Sequence, residues 1–131
     1  MQTIPARRDE PKSPASDRNL ASEPVDVQHL RRYTLGDQKL ETEIFQLFVT
    51  QLPELIAGLR TARTERDWRM AAHSLKGAGR AIGAWRIARL AEGAERLTFG
   101  IDCEACKAAV AEFDKAASEV RQYIETVWGR G

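Results

Sequence analysis

Cys106-Lys107-Ala108-Ala109-Val110-Ala111-Glu112-Phe113-Asp114-Lys115-Ala116-Ala117-Ser118-Glu119-Val120-Arg121-Gln122-Tyr123-Ile124-Glu125-Thr126-Val127 carries the clearest period in the chain. Cys106, Val110, Phe113, Ala117, Val120, Ile124 and Val127 recur at alternating spacings of four and three. That alternation is the seam of a helix packed lengthwise on other helices, as in an antiparallel bundle. No comparable alternation of period two occurs elsewhere, so strands are not expected.

Working upstream, the same helical spacing returns with turn residues between the runs. A helix over about 84 to 99 has Ile87, Leu90, Ala91, Ala94 and Leu97 on its inward side, and Gly83 permits the turn that precedes it. A helix from about Glu65 to Ile82 comes before that turn. A long helix opens at Asp37 and runs to about Ala62, with Leu40, Ile44, Leu47, Phe48, Leu55 and Leu59 as its predicted core face and Pro53 as a predicted kink. Asp26 is placed to cap a short helix ending near Tyr33, whose Val27 and Leu30 close one end of the bundle. The predicted fold is all-α: an antiparallel up-down-up-down four-helix bundle over residues 25–131 with a short additional N-terminal helix. Residues 1–24 hold four of the five prolines among charged and small residues, a composition predicting a disordered N-terminal tail.

His73 stands out on the third of these five helices. At about 100° per residue, Trp68, Ala71, Ala72, Leu75, Ala78, Gly79 and Ile82 fall on one side and His73 on the other. Arg66, Arg69, Met70, Lys76, Gly77 and Arg80 share its outward face. Neighbouring cations disfavour imidazolium, which keeps a ring nitrogen free as a nucleophile, and they would steady an anion bound there. Lys76 lies one turn along the same face, within reach of such an anion. Gly77 lowers helix propensity by about 1 kcal/mol relative to alanine, and close approach by another molecule is a physical reason to keep it. A solvated basic face with an incidental histidine is the alternative, and the residues alone leave both open.

The run His73-Ser74-Leu75-Lys76-Gly77, followed by Ile82-Gly83 and the helical stretch to Leu97, resembles the signature of histidine phosphotransfer (HPt) domains. The likeness extends upstream to Val25-Asp26-Val27 and Leu35-Gly36-Asp37. It implies a phosphorelay carrier in two-component signalling, whose histidine passes a phosphoryl group between the aspartates of receiver domains in response regulators or hybrid kinases. His73 would then be the phosphoacceptor and Lys76 the cation near the phosphoryl group. Gly77 would be the clearance for the receiver, with Arg69, Met70 and Arg80 in the partner-binding face. No cofactor of its own is implied, the Mg²⁺ being expected on the receiver. Many members carry a glutamine on the next helix where Glu95 stands here. A carboxylate there would repel phosphohistidine unless a cation intervened, which casts Glu95 as a holder of Lys76 or Arg69. The alternatives are a catalytically inactive helical adaptor for an acidic partner, and a phosphoacceptor domain that serves as a kinase substrate.

Composition bounds the rest. The 131 residues are 43% hydrophobic and 30% charged, enough for one compact domain. Lys+Arg 20 against Asp+Glu 19 leaves a net charge of +1, which argues against a general nucleic-acid binder. No apolar run approaches the roughly 18 residues of a membrane span, and no signal peptide is indicated, so a cytoplasmic monomer is expected. Gly77-Ala78-Gly79-Arg80-Ala81-Ile82-Gly83 lacks the preceding strand that a dinucleotide-binding glycine pattern needs. Neither a nucleotide loop nor a Mg²⁺-binding carboxylate cluster is recognisable, which excludes a kinase or hydrolase. Cys103 and Cys106 form a C-x-x-C without thioredoxin context or further zinc ligands, and are read as idle or buried thiols. His29 is read as a solvated surface histidine. Trp68 is assigned to the core, and Trp85 is singled out for test as an interface residue.

Overall fold

A computed structural model of the chain describes residues 23–127, so the expected tail falls outside it except for its last two residues. Five helices and no strand occur among the described residues. They are α1 (Val27–Thr34), α2 (Gln38–Arg60), α3 (Glu65–Ile82), α4 (Trp85–Glu95) and α5 (Cys103–Val127). Three starts are fixed by side-chain caps. Asp26 accepts from the His29 amide, Asp37 from that of Leu40 and Thr64 from that of Asp67, each satisfying a donor the helix itself leaves open.

The four long helices form a closed ring of neighbours, α2 on α3, α3 on α4, α4 on α5 and α5 on α2, and α1 packs against α2 and α3. Their shared core contains Phe45, Leu52, Ile56, Trp68, Leu75, Ile87, Phe113 and Val120, all at most 2% exposed. The α5 seam runs as expected through Cys106, Phe113, Val120 and Ile124; Val110 and Ala117 are half-buried and Val127, at the end, is exposed.

The core face of α2 is rotated from the predicted one. Leu40 and Leu47 are exposed, while Phe45, Leu52 and Ile56 are buried together with Phe48 and Leu59. Both sets keep helical spacing, and the set that is buried also contains Glu41, a residue that argues against a core face when only sequence is read. Glu41 is fully buried because it is partnered: Thr34 Oγ1 donates to it at 2.6 Å and Arg31 Nε lies 3.3 Å away. Arg31→Met therefore strands a carboxylate in the core and should cost about 2–3 kcal/mol, less than the loss from a fully buried pair because Arg31 is itself partly exposed. The midpoint of urea unfolding measures it; an unchanged midpoint would mean that the carboxylate finds water instead. The α2 helix continues through Pro53, which sits on the exposed side where water can serve the carbonyl left without an amide donor.

Two glycines set how α3 meets its neighbours. A Cβ on Gly79 would come within 3.0 Å of the Ala88 amide nitrogen and 3.1 Å of the Ala84 carbonyl, so α3 and α4 touch backbone to backbone there. Gly83 ends α3 at φ 84°, and a Cβ there would meet the Asp26 carbonyl at 2.7 Å. The Asp26 amide donates to the Gly83 carbonyl at 2.8 Å, which ties the start of α1 to the α3–α4 turn.

The α4 helix stops at Glu95, short of the expected Phe99. Asp102 ends it from the far side of the loop, its carboxylate accepting from the Thr98 amide at 2.7 Å while its own amide donates to the Thr98 carbonyl. Leu97 and Phe99 remain half-buried as loop residues, Phe99 stacking on Trp68 with ring centroids 5.9 Å apart.

Candidate functional site

The apolar stripe of α3 faces inward, with Trp68, Ala72, Leu75, Gly79 and Ile82 buried and Ala71 and Ala78 half-buried. That burial turns His73 outward, and its side chain is 74% exposed. A shallow depression around the ring is lined by Arg66, Arg69, Met70, Ser74 and Glu95. Gly77, one turn further, has open space where a Cβ would be, so nothing in the chain's own packing requires glycine there.

A carboxylate from α4 lies within reach of the ring, beside the cationic strip. Glu95 Oε2 lies 3.4 Å from His73 Nδ1, and Glu95 Oε1 accepts from Lys76 Nζ at 2.8 Å. Glu95 reaches both because the end of α4 packs beside the middle of α3. The Lys76 hydrogen bond holds the Glu95 carboxyl below its ordinary range, against partial burial that pushes it up, and the nearby His73 adds to the lowering. Of the two cations that sequence offered as partners for Glu95, the structure selects Lys76, since Arg69 pairs with Glu65 at 2.9 Å. Arg80 is paired too, with Glu92 at 2.5 Å. The strip is thus less basic than its residue list implies.

A second depression adjoins Gly77 and is lined by His29, Tyr33, Gly77, Arg80, Ala81 and Trp85. His29 is not simply solvated: its Nε2–H donates to the Arg80 carbonyl at 2.9 Å, and its ring meets Trp85 edge-on at 4.7 Å. Trp85 is half-buried and donates through Nε1 to Asp26 at 2.9 Å, so it braces α1 while presenting an edge to this hollow. Tyr33, 68% exposed, belongs to the same surface and was not singled out from sequence; the signal was its place in the last turn of α1. Cys106 is buried, which pushes its thiol pKa up, and Cys103 is exposed and free. No helix is long and apolar enough to cross a membrane among the described residues.

Comparison with known proteins adds one independent finding. The family model of the Hpt domain matches residues 43–128, about two thirds of the chain, from the second turn of α2 onward. No curated protein and no solved structure matches. The match spans α3 with His73 and α4 with Glu95, and leaves α1 outside. On that match the chain belongs to the Hpt domain family, whose name denotes histidine phosphotransfer.

Proposed function

We propose that this chain is a phosphohistidine carrier of a two-component phosphorelay, accepting a phosphoryl group on His73 from one receiver aspartate and passing it to another. The observation that carries the reading is the exposed imidazole on a rigid helix face, with open backbone at Gly77 one turn away. Glu95 faces Nδ1, so a proton on that nitrogen leaves the Nε2 lone pair pointing to solvent as the nucleophile. Attack of Nε2 on an aspartyl phosphate forms the N–P bond as the O–P bond breaks, and the carboxylate departs with the electron pair. In-line geometry puts the two reacting atoms on opposite sides of phosphorus, and a surface without side chains lets the receiver come that close. Lys76 is the cation near the phosphoryl oxygens, and the receiver supplies Mg²⁺ and the acidic pocket.

Arg69, Met70, Gly77 and Arg80 form the docking face in this reading. The four long helices run up-down-up-down, an order favoured by the short connections at residues 61–64 and 83–84. The carrier acts as a cytoplasmic monomer, with neither nucleic acid nor membrane as partner.

The test mixes the protein with a phosphorylated receiver and asks for acid-labile, base-stable phosphate on it. Absence of such label, while the receiver stays bound, would favour an inactive adaptor. Gly77 separates folding from docking. Gly77→Ala should raise stability by about 1 kcal/mol, since the site is open and helical. Gly77→Phe should fold equally well yet slow transfer from the receiver severely. Thermal melts and transfer rates of the pair check this, and normal transfer by the phenylalanine variant would remove Gly77 from the interface.

A further inference from the structure

A hollow where α2 ends and α5 begins has no part in the carrier reading. It holds about 480 Å³ between apolar side chains that include Leu59, Trp68, Phe99 and Val110, and both cysteines line it. Cys103 is exposed at the first position of α5, and Cys106, one turn on, is 6% exposed. No hydrogen bond engages the Cys106 sulfur among the described residues. We propose that Cys103 and Cys106 form a redox-active dithiol that hydrogen peroxide oxidises to a disulfide, with Cys103 as the attacking sulfur and Cys106 as the resolving one. The pair would then be a reversible two-electron site rather than idle thiols, and nothing in its chemistry depends on phosphotransfer.

Residues three apart on an α-helix have Cα atoms about 5 Å from one another, inside the roughly 4.4–6.8 Å that a disulfide spans. Cys103 opens its helix, so its amide carries no ladder bond and its backbone can turn toward Cys106. The hollow gives the Cys106 sulfur room to swing out of the core seam. Burial above all, then the charges of Asp102 and Cys103, push the Cys106 thiol pKa up. The two sulfurs are thus within electrostatic reach of each other, and Cys106 stays a neutral thiol. Attack therefore falls to the exposed Cys103. Its thiolate takes one peroxide oxygen: the S–O bond forms, the O–O bond breaks, and the departing hydroxide collects the proton that the thiol released. Cys106 then attacks the sulfenyl sulfur. The S–S bond forms, the S–O bond breaks, and the hydroxyl leaves as a second water with the Cys106 proton. Two thiols and one peroxide give one disulfide and two waters.

The full chain, reduced and freed of reductant, is treated with hydrogen peroxide; remaining thiols are capped with iodoacetamide in denaturant and the intact mass is read. The expected product is a monomer lighter by about two hydrogens that takes no cap and regains both thiols in dithiothreitol. Cys106→Ala should stop at the sulfenic acid, which dimedone captures on Cys103. Cys103→Ala should leave Cys106 reduced, with thiol loss about tenfold slower than in the parent or slower still. Persistence of both thiols in the parent, at peroxide concentrations that convert Cys103 in Cys106→Ala, overturns the proposal. A product consisting only of sulfinic acid, or only of dimers linked between chains, overturns it as well, and so do equal rates of thiol loss in the two single variants. The parent measurement needs no substitution, so poor folding of either variant does not hide the answer.

Discussion

His73→Gln should reduce labelling by a phosphorylated receiver to background. An amide nitrogen has no available lone pair to attack phosphorus, and no other histidine stands ready to replace the ring. His29 lies half-buried with Nε2 engaged by the Arg80 carbonyl and with aromatic rings on its faces. Because the His73 side chain is 74% exposed, its replacement should alter stability by no more than about 0.5 kcal/mol. A folded but unlabelled protein is the expected pair of observations. Undiminished labelling of the variant would move the phosphoacceptor elsewhere, and unfolding of the variant would contradict the outward placement of the ring.

The largest expected effect on stability belongs to Trp68→Ala. The indole is 2% exposed, stacks with Phe99, and donates through Nε1 to the Ala94 carbonyl at 2.8 Å. Truncating a buried aromatic to alanine costs about 3–5 kcal/mol, and loss of the indole hydrogen bond adds about 1 kcal/mol, since the Ala94 carbonyl keeps the Leu97 amide as a donor. Against a usual total of about 5–15 kcal/mol, this brings the domain near the edge of folding. A fall in melting temperature of roughly 15 °C or more is expected, followed by circular dichroism. A fall of only a few degrees would show that the α3–α4 contact closes over the gap. The residue after Ala94 is Glu95, so a partial variant such as Trp68→Phe should also disturb the carboxylate beside His73.

The fold was legible in sequence wherever a single rule applied. Asp26 and Asp37 cap the helices they were expected to cap, and α3 begins at Glu65 and ends at Ile82 as its spacing and Gly83 required. The α2 face was misread because two stripes compete there and burial of Glu41 depends on Arg31 and Thr34, ten and seven residues away. The end of α4 was misplaced because the helical pattern continues through Leu97 while Asp102, beyond the pattern, decides where the chain turns. Hydrophobic period is local information, whereas these two outcomes depend on partners brought in by folding.

The site divides the same way. Outward placement of His73 follows from the period of its own helix, and Gly77 follows with it. The pairing of Lys76 with Glu95 crosses between helices, so sequence could name the candidates without choosing between Lys76 and Arg69. The position of His29 against Arg80 spans 51 residues and left no local trace.

The backbone contact at Gly79 has a mechanical corollary. Where two helices meet without side chains between them, neither can slide or roll without steric collision, so the contact behaves as a fulcrum. His73 lies less than two turns from it on one arm and Glu95 about two turns beyond Ala88 on the other. Motion between the arms is reduced to a small scissoring angle, which leaves little disorder to be frozen out when a partner arrives.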